Sequence, residues 1–238
     1  MTTNGASPKI VLYTNHGCPW AHRAHIALAA LELPFEEHII DLNVPRTPEY
    51  LAVNPRGLVP TIVYDGETIP ESAIVSQFLA DAHPGKLLKS SSEPGGALQR
   101  ARVNFFVDTW LSKVHPSLFG AFRASSEAER TKLSTQLVDA VAKEIEPLLD
   151  NAGPFFGGSK TITLAEVQTG SFVLRLLDFS KYGLLSTDTA QQLEAKAPNT
   201  YKWAQAVAAN SSVNHIWKAQ DSAEGMKAKL AKIAAESK

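Results

Sequence analysis

The sequence contains a single cysteine among its 238 residues, so no disulfide can form within the chain. This scarcity favours a reducing compartment, and we expect a cytoplasmic protein. Apolar runs are short as well, the longest being Ile26 to Leu31, which excludes a membrane-spanning helix. Residues 1–9 are mostly small and polar without an apolar stretch, so we expect no secretory signal.

An excess of charge of either sign is also missing, because 23 Lys and Arg against 24 Asp and Glu give a net charge of −1. We therefore expect neither a nucleic acid nor a membrane surface as a partner. Hydrophobic residues make up 44% of the chain and charged residues 20%, which is typical of a globular protein with a substantial core. Disordered and fibrous classes are excluded on this composition.

The charge that is present is distributed unevenly. Residues 1–84 contain four basic and nine acidic residues and carry −5, whereas the remainder carries +4. Strand-like and helix-like patterns alternate before this point, and only helical patterns follow it. The intervening residues 85–96 are rich in Pro, Gly and Ser, which is typical of a linker. We predict a first domain over 1–84, a linker over 85–96 and an all-helical domain over 97–238.

The first domain is predicted to have the order βαβαββα. A right-handed β-α-β unit should pair its two strands in parallel, and the Asp65-Gly66 turn should join an antiparallel hairpin. This arrangement is a mixed sheet with helices on its faces. The predicted strands cover 9–13, 35–42, 61–64 and a return strand from 68, and the predicted helices cover 18–31, 48–53 and 71–82.

The second domain is predicted to be a helical bundle. Its first helix should run from residue 97 to about 121, with a kink near Pro116. Two capping boxes, Ser126 with Glu129 and Thr163 with Glu166, should open further helices, the second of which continues to Phe179. Other helices are predicted at 189–196, at 198–209 and after residue 212, with an amphipathic tail over 221–238.

Cys18 lies between the end of a predicted strand and the start of a predicted helix. The unpaired N–H groups and the dipole at a helix start favour an anion, and the thiolate is the nucleophilic form of cysteine. The phrase Cys18-Pro19-Trp20-Ala21 has the form of a Cys-x-x-Cys redox motif with Ala21 in place of the second cysteine. A mixed disulfide here needs an external thiol for its resolution, and glutathione is the abundant soluble thiol of the cytosol. The simpler interpretation is a small buried hydrophobe.

Two further phrases indicate recognition of a peptide-like ligand. In the stretch Asn54-Pro55-Arg56-Gly57-Leu58-Val59-Pro60, Pro60 stands directly before a predicted strand, where proline needs a strand start or a special turn. In Glu71-Ser72-Ala73-Ile74, a carboxylate and a hydroxyl open a helix and could meet an α-amino and an α-carboxylate group. An ordinary trans proline and plain N-capping by Ser72 are the alternatives.

Taken together, these three phrases resemble the cytosolic glutathione transferase superfamily, over essentially the whole chain. Within it, the cysteine at position 18 is similar to the omega-like, cysteine-type branch. The resemblance implies the fold class α/β plus all-α, with a thioredoxin-like N-terminal domain followed by an α-helical domain. The implied site roles are catalysis by Cys18, backbone contacts from Val59 to the cysteinyl unit of glutathione beside a cis Pro60, and contacts from Glu71 and Ser72 to its γ-glutamyl end.

The resemblance also suggests less specific roles. Arg46 occupies about the position where omega-type proteins place a lysine near the glycyl carboxylate, although a solvated loop charge is an equal alternative. Tyr13 is assigned to the strand rather than to catalysis, and His22 and Arg23 are expected at the surface or at a dimer face. An acceptor pocket is implied beside the long helix and the C-terminal segment, although bundle aromatics are more often core. Its candidate residues are Trp20, Phe119, Phe122 and Trp217.

The function that follows from the resemblance is a glutathione-dependent thioltransferase, with reductase activity on small electrophiles such as dehydroascorbate. Glutathione is then the cosubstrate, the partner is a small electrophilic or disulfide substrate, no metal is expected, and a homodimer is implied. Two alternatives stay open. The phrase Cys-Pro-Trp-Ala-His-Arg also resembles the S-glutathionyl hydroquinone reductases, and some members of the superfamily are non-catalytic binding modules. The presence of Cys18, Glu71 and Ser72 argues against a binding module.

Overall fold

A mixed four-stranded sheet organises the first part of the chain in the computed structural model, which describes residues 7–236. The expectation about a secretory signal concerns residues 1–9, most of which lie outside that range, and so do the last two residues of the predicted tail. The strands follow the order β2-β1-β3-β4; β1 is parallel to β2 and antiparallel to β3, and β3 is antiparallel to β4. They are β1 (Ile10–Thr14), β2 (Glu36–Ile39), β3 (Thr61–Tyr64) and β4 (Glu67–Pro70).

Three helices complete this part, and the observed order is the predicted one. They are α1 (Pro19–Leu31), α2 (Pro48–Val53) and α3 (Ser72–Ala82). The second strand is shorter than the predicted 35–42. It is an edge strand that pairs only with β1, over residues 36–39, and all four of its residues are exposed. Alternating burial along β1 turns Leu12 toward the core, where it joins Ile62 of β3 and Leu28 of α1, all fully buried. Each such side chain contributes about 1.5–3 kcal/mol of hydrophobic stabilisation.

The remainder of the chain is helical. The predicted helix over 97–121 is interrupted by a π-helical turn, Trp110–Val114, rather than kinked at Pro116. Pro116 instead lies in the first turn of the next helix. Backbone N–H groups have no acceptor within the helix at that position, so a proline there costs no hydrogen bond. The α-helices are α4 (Gly96–Thr109), α5 (His115–Phe122), α6 (Glu127–Glu144), α7 (Leu164–Asp178), α8 (Thr189–Lys196), α9 (Pro198–Ala209), α10 (Ser211–Asn214) and α11 (Ala219–Glu236).

Helix α7 is the central element of the molecule, buried from Leu164 to Leu176 and packed against α1 of the first part. Its capping box forms as predicted, with Glu166 accepting from the Thr163 backbone N–H at 2.8 Å. The buried Glu166 carboxylate also accepts from the Phe156 N–H at 2.8 Å and from the Trp203 indole N–H at 2.7 Å. These donors satisfy the hydrogen-bonding needs of the buried carboxyl group, which would otherwise make its burial costly. Within residues 7–236, no helix has the length and apolar character needed to cross a bilayer.

Candidate active site

Cys18 is the N-cap residue of α1, directly after the loop that leaves β1. Its N–H donates to the Asn15 carbonyl at 3.0 Å, and its carbonyl accepts from the His22 N–H at 3.1 Å, which is the first hydrogen bond of the helix. The Asn15 side chain fixes the loop by accepting from the Gly17 N–H and donating to the Ile40 carbonyl, both at 3.0 Å. These bonds hold the backbone of Cys18 in place. Its thiol makes no capping bond, and the residue is partly exposed, so the thiol remains accessible.

Two buried guanidinium groups interact electrostatically with Cys18. Arg23, on α1, donates to the Gln168 carbonyl at 2.8 Å and to the Ser72 hydroxyl at 3.3 Å. Arg175, on α7, donates to the Ser171 carbonyl at 2.7 Å and to the Gly17 carbonyl at 3.1 Å, just before Cys18. The two parts of the chain thus each contribute one cation to the surroundings of the thiol.

Burial lowers the pKa of Arg23 to about 9 and that of Arg175 to about 10, while the charge of Cys18 acts in the opposite direction on both. Both side chains therefore stay protonated at neutral pH. Arg23 and Arg175 thus both lie within electrostatic range of Cys18. Both cations also lie over aromatic faces, Arg23 4.6 Å from the Trp20 ring centroid and Arg175 4.8 Å from that of Trp217, which offsets part of their desolvation.

The Asn54–Pro60 segment forms a braced loop between α2 and β3. The buried Asn54 amide donates to the Leu58 carbonyl at 3.0 Å and to the Thr61 hydroxyl at 2.9 Å, and its oxygen accepts from the Arg56 N–H. The Val59–Pro60 peptide bond is cis, as predicted. Val59 is partly exposed beside the buried Pro60, so its backbone borders the surface at the start of β3.

Glu71 and Ser72 form the start of α3. Glu71 has a φ of +73°, which is rare for a residue with a Cβ and costs about 1–3 kcal/mol. Its carboxylate is 41% exposed and lies 2.6 Å from the guanidinium of Arg56. Ser72 is buried and accepts from Arg23. Arg23 therefore links the surroundings of Cys18 to the start of α3.

Arg46 acts in the structure as a brace between loops. It donates to the Gly57 carbonyl at 2.9 Å and to the carbonyls of Asp41 and Val44 at 2.7 Å each. Gly57 has a φ of +61°, and a Cβ there would lie only 2.9 Å from Arg46, so this close approach requires glycine. Arg46 is therefore half-buried and held by backbone carbonyls, and contact with a ligand stays a prediction.

An aromatic cluster begins at Trp20, two residues after Cys18. Trp20 and Phe119 are both partly exposed, and His115 lies between them, with ring centroids 5.2 Å and 4.4 Å away. The buried Phe172 underlies Trp20 at 5.0 Å. Burial, Arg23 and Arg123 lower the pKa of His115 to about 4, so this imidazole is neutral at pH 7.

The other two predicted pocket residues belong to the core side of this region. Phe122 is only 4% exposed and packs on Phe119 and Phe179, so the expectation that it lines a pocket is wrong. Trp217 is partly exposed, but its indole N–H donates to Asp178 at 2.8 Å and its ring faces Phe179 and Arg175. Both side chains therefore serve the packing of α5 and α7 against the C-terminal segment.

The expectation that His22 and Arg23 lie at the surface is also wrong, because both are buried against the second part of the chain. The His22 Nε2 donates to the Val213 carbonyl at 2.9 Å. Neither Arg175 nor His115 was predicted from the sequence to be part of the site. A lone arginine within the apolar run of α7 is a signal that could have indicated Arg175, whereas His115 carries none in the sequence.

Two clefts of about 400 Å³ each lie along α4, lined by residues such as Arg102, Phe156 and Gly157. They lie on the helical part and include none of the residues that surround Cys18. The candidate site at Cys18 thus rests on the residues that surround the thiol and not on either of these clefts.

Comparisons with known proteins agree with this geometry. The model of the family described as "Glutathione S-transferase, N-terminal domain" matches residues 17–82. The chain is 33% identical over 152 residues to glutathione S-transferase omega-1 of Sus scrofa, a match that covers 63% of this chain and 60% of that protein. The chain thus spans about three fifths of the length of that curated relative.

Two solved structures share the fold. Glutathione transferase Omega 1C from Trametes versicolor superposes with a TM-score of 0.75 at 27% identity, covering 94% of this chain and 97% of that one. Rice GST1 (OsGSTU1), solved in complex with glutathione, superposes with a TM-score of 0.80 at 23% identity, covering 96% and 99%. These likenesses confirm a thioredoxin-like N-terminal domain followed by a helical domain. Residues 17–82 belong to the glutathione S-transferase N-terminal domain family, and these relatives support an omega-like place for the chain within the cytosolic glutathione transferase superfamily.

Proposed function

We propose that the protein is a glutathione-dependent thioltransferase in which Cys18 forms a mixed disulfide with glutathione. The observation that carries this proposal is the position of Cys18 at the start of α1, where Arg23 and Arg175 both interact with it from buried positions. A structural cysteine needs no buried cations, whereas a nucleophilic thiolate is stabilised by them. Burying two guanidinium groups costs free energy, and a role in packing alone does not explain why both are buried there.

The absence of a second thiol determines how the mixed disulfide is resolved. Ala21, at the position of a resolving cysteine, is fully buried, and Cys18 is the only cysteine in the chain. In the first step, the Cys18 thiolate attacks the glutathionyl sulfur of a substrate disulfide; a new S–S bond forms and the substrate thiolate leaves. In the second step, a glutathione thiolate attacks that same sulfur, which releases oxidised glutathione and regenerates the Cys18 thiolate.

We assign the peptide part of glutathione to the first domain. We assign the Val59 backbone, next to Pro60, to the cysteinyl unit, and Glu71 with Ser72 to the γ-glutamyl ammonium and carboxylate. The strained φ of Glu71 supports this assignment, because such conformations cluster at ligand sites. Arg46 adds a positive charge beside the same loop, for the glycyl carboxylate.

The aromatic cluster of Trp20, His115 and Phe119 favours a flat acceptor and gives weight to a second candidate, the reduction of S-glutathionyl hydroquinones. In that reaction the Cys18 thiolate attacks the glutathionyl sulfur, the carbon–sulfur bond breaks, and the ring carbon takes up a proton as the hydroquinone leaves. The product on the enzyme is the same mixed disulfide. Parallel assays with a glutathionyl-hydroquinone, with dehydroascorbate and with a glutathionylated peptide separate these substrates.

Mass spectrometry of the intact chain after treatment with oxidised glutathione tests the mechanism. The wild type should gain one glutathionyl group, and excess reduced glutathione should remove it. Cys18→Ser should gain none and lose disulfide reductase activity, since a serine hydroxyl stays protonated at neutral pH. A wild type without adduct, or a Cys18→Ser variant with full reductase activity, would favour the non-catalytic binding module instead.

We further propose that the protein works in the cytoplasm as a homodimer, with the domain boundary at residues 85–96. Large apolar side chains are exposed on α3 and α4, namely Ile74, Leu98 and Phe105, each more than half accessible. A contiguous apolar patch is typical of an interface, and a dimer formed through α3 and α4 would cover these side chains. Sedimentation of the wild type and of Phe105→Glu, which should dissociate a dimer, tests the assembly.

A further inference from the structure

Three side chains with metal-ligating atoms converge at the edge of the sheet, close in sequence to Cys18. His16 belongs to the loop after β1, His25 to α1 and Glu37 to β2. The Nε2 atoms of His16 and His25 lie 2.7 Å and 3.3 Å from the same carboxylate oxygen of Glu37. Candidate ligand atoms of the three residues all lie within 4.8 Å of one another.

A surface ion pair between His16 and Glu37 explains only part of this arrangement. His25 is 1% exposed, yet its Nε2 faces the same carboxylate oxygen, with the Thr14 hydroxyl 2.9 Å away. A buried imidazole that faces the same oxygen from the protein interior is not needed for a surface pair between His16 and Glu37.

We propose that His16, His25 and Glu37 bind a divalent metal ion of the zinc type. Two imidazole nitrogens and a carboxylate oxygen are ligands that Zn²⁺ prefers, with a fourth position open to water. Ligand atoms in a tetrahedral zinc shell are about 3.4 Å apart, as follows from Zn–N distances of about 2.0–2.1 Å. The spacing of 3.3 Å between His25 and Glu37 is near this value, whereas the 2.7 Å between His16 and Glu37 is a hydrogen-bond distance that the His16 side chain, 45% exposed, has to widen when an ion binds.

The ligands come from three separate elements, which explains why no spacing pattern in the sequence indicates them and why none was expected. The parallel pairing of β1 with β2 sets Glu37 opposite Leu12, at the middle of β1. A bound ion would fasten the loop of His16, two residues before Cys18, to α1 and to the exposed edge strand. The affinity should be below that of structural zinc sites, because no described residue pairs with the buried Nδ1 of His25. Loss of such an outer contact typically costs 10–100-fold in affinity.

The test is a titration of the full chain with Zn²⁺ alone, against a chromophoric chelator, in a Cys18→Ser background that removes the thiol as a ligand. We expect one Zn²⁺ per chain. His16→Ala and Glu37→Gln should each weaken binding at least about tenfold, since each removes one ligand. Because both side chains are partly exposed, neither change should disturb folding, which circular dichroism checks. Co²⁺ in place of Zn²⁺ should give the visible absorption of a tetrahedral nitrogen–oxygen site.

His38→Ala is the matched control. His38 lies on the same strand and pairs with Glu36 at 2.7 Å, but it does not belong to the cluster. Its removal should leave the zinc affinity unchanged. The proposal is overturned if the Cys18→Ser chain retains no stoichiometric zinc, if His16→Ala binds as tightly as its parent, or if His38→Ala weakens binding equally.

Discussion

The two ends of the proposed glutathione site are built in different ways. At the thiol end, Cys18 interacts with Arg23 from α1 and with Arg175 from α7, so both domains contribute. At the peptide end, the loop before β3 and the start of α3 belong to the first domain alone. A cation can stay buried beside a thiol only where packed elements enclose it, whereas recognition of a peptide backbone needs only an accessible edge. Reactivity should thus depend on domain packing, and glutathione affinity should not.

The first way to test this comparison is at the peptide end. Glu71→Ala should raise the KM for glutathione by about 10–100-fold with little change in kcat, because it removes a charge-assisted contact of about 1.5–3 kcal/mol made in the ground and transition states alike. Steady-state kinetics with varied glutathione measures this. Glu67→Ala on β4, an exposed carboxylate nearby, is the control and should change nothing. An unchanged KM in Glu71→Ala would remove Glu71 from the γ-glutamyl end.

The second test is at the thiol end. Arg175→Met should slow alkylation of Cys18 by iodoacetamide at pH 7 about tenfold, because the loss of one nearby positive charge disfavours the thiolate. The KM for glutathione should stay within about twofold, since Arg175 is fully buried at the domain junction. Arg100→Met, which removes a cation paired with Asp81 on α3, is the control. Equal alkylation rates in the variant and the wild type would contradict the role of Arg175.

The same contrast explains what the sequence could and could not predict. The order of strands and helices, the capping box at Thr163 and the positions of Cys18 and Glu71 follow from neighbouring residues, and they could be predicted. Arg175 reaches the loop of Cys18 from 158 positions away, at Gly17, which no local pattern encodes. The burial of Phe122 likewise depends on how α5 packs on Phe179, after which no surface is left for a ligand.

A third prediction concerns the junction of the domains and its dependence on pH. Burial and then Arg175 keep the pKa of His22 well below its usual value, although its hydrogen bond to Val213 acts in the opposite direction. The unfolded chain therefore takes up a proton near pH 6.5 that the folded chain does not. Its free energy of unfolding must fall as the pH drops below about 6.5, by at most about 1.4 kcal/mol per pH unit for this group.

His22→Gln keeps a donor for the Val213 carbonyl and removes the titration, so urea unfolding at pH 7, 6 and 5 should show a shallower decline in stability than in the wild type. His38→Gln, at an exposed position, should reproduce the wild-type slope. If His22→Gln and the wild type lose stability in parallel, His22 is not neutral at the junction.

The smallest effect is expected from Arg56, which pairs with Glu71 at 2.6 Å while both side chains are substantially exposed. Exposed pairs contribute about 0–1 kcal/mol. Arg56→Ala should lower the KM for glutathione by up to about threefold, because the ligand ammonium then meets a carboxylate that no other cation of residues 7–236 pairs with. The effect should vanish in the Glu71→Ala background, since the two changes act through the same carboxylate. A tenfold rise in KM would instead mean that Arg56 itself binds a glutathione carboxylate, and the peptide end would then hold a second cation that acts independently of Glu71.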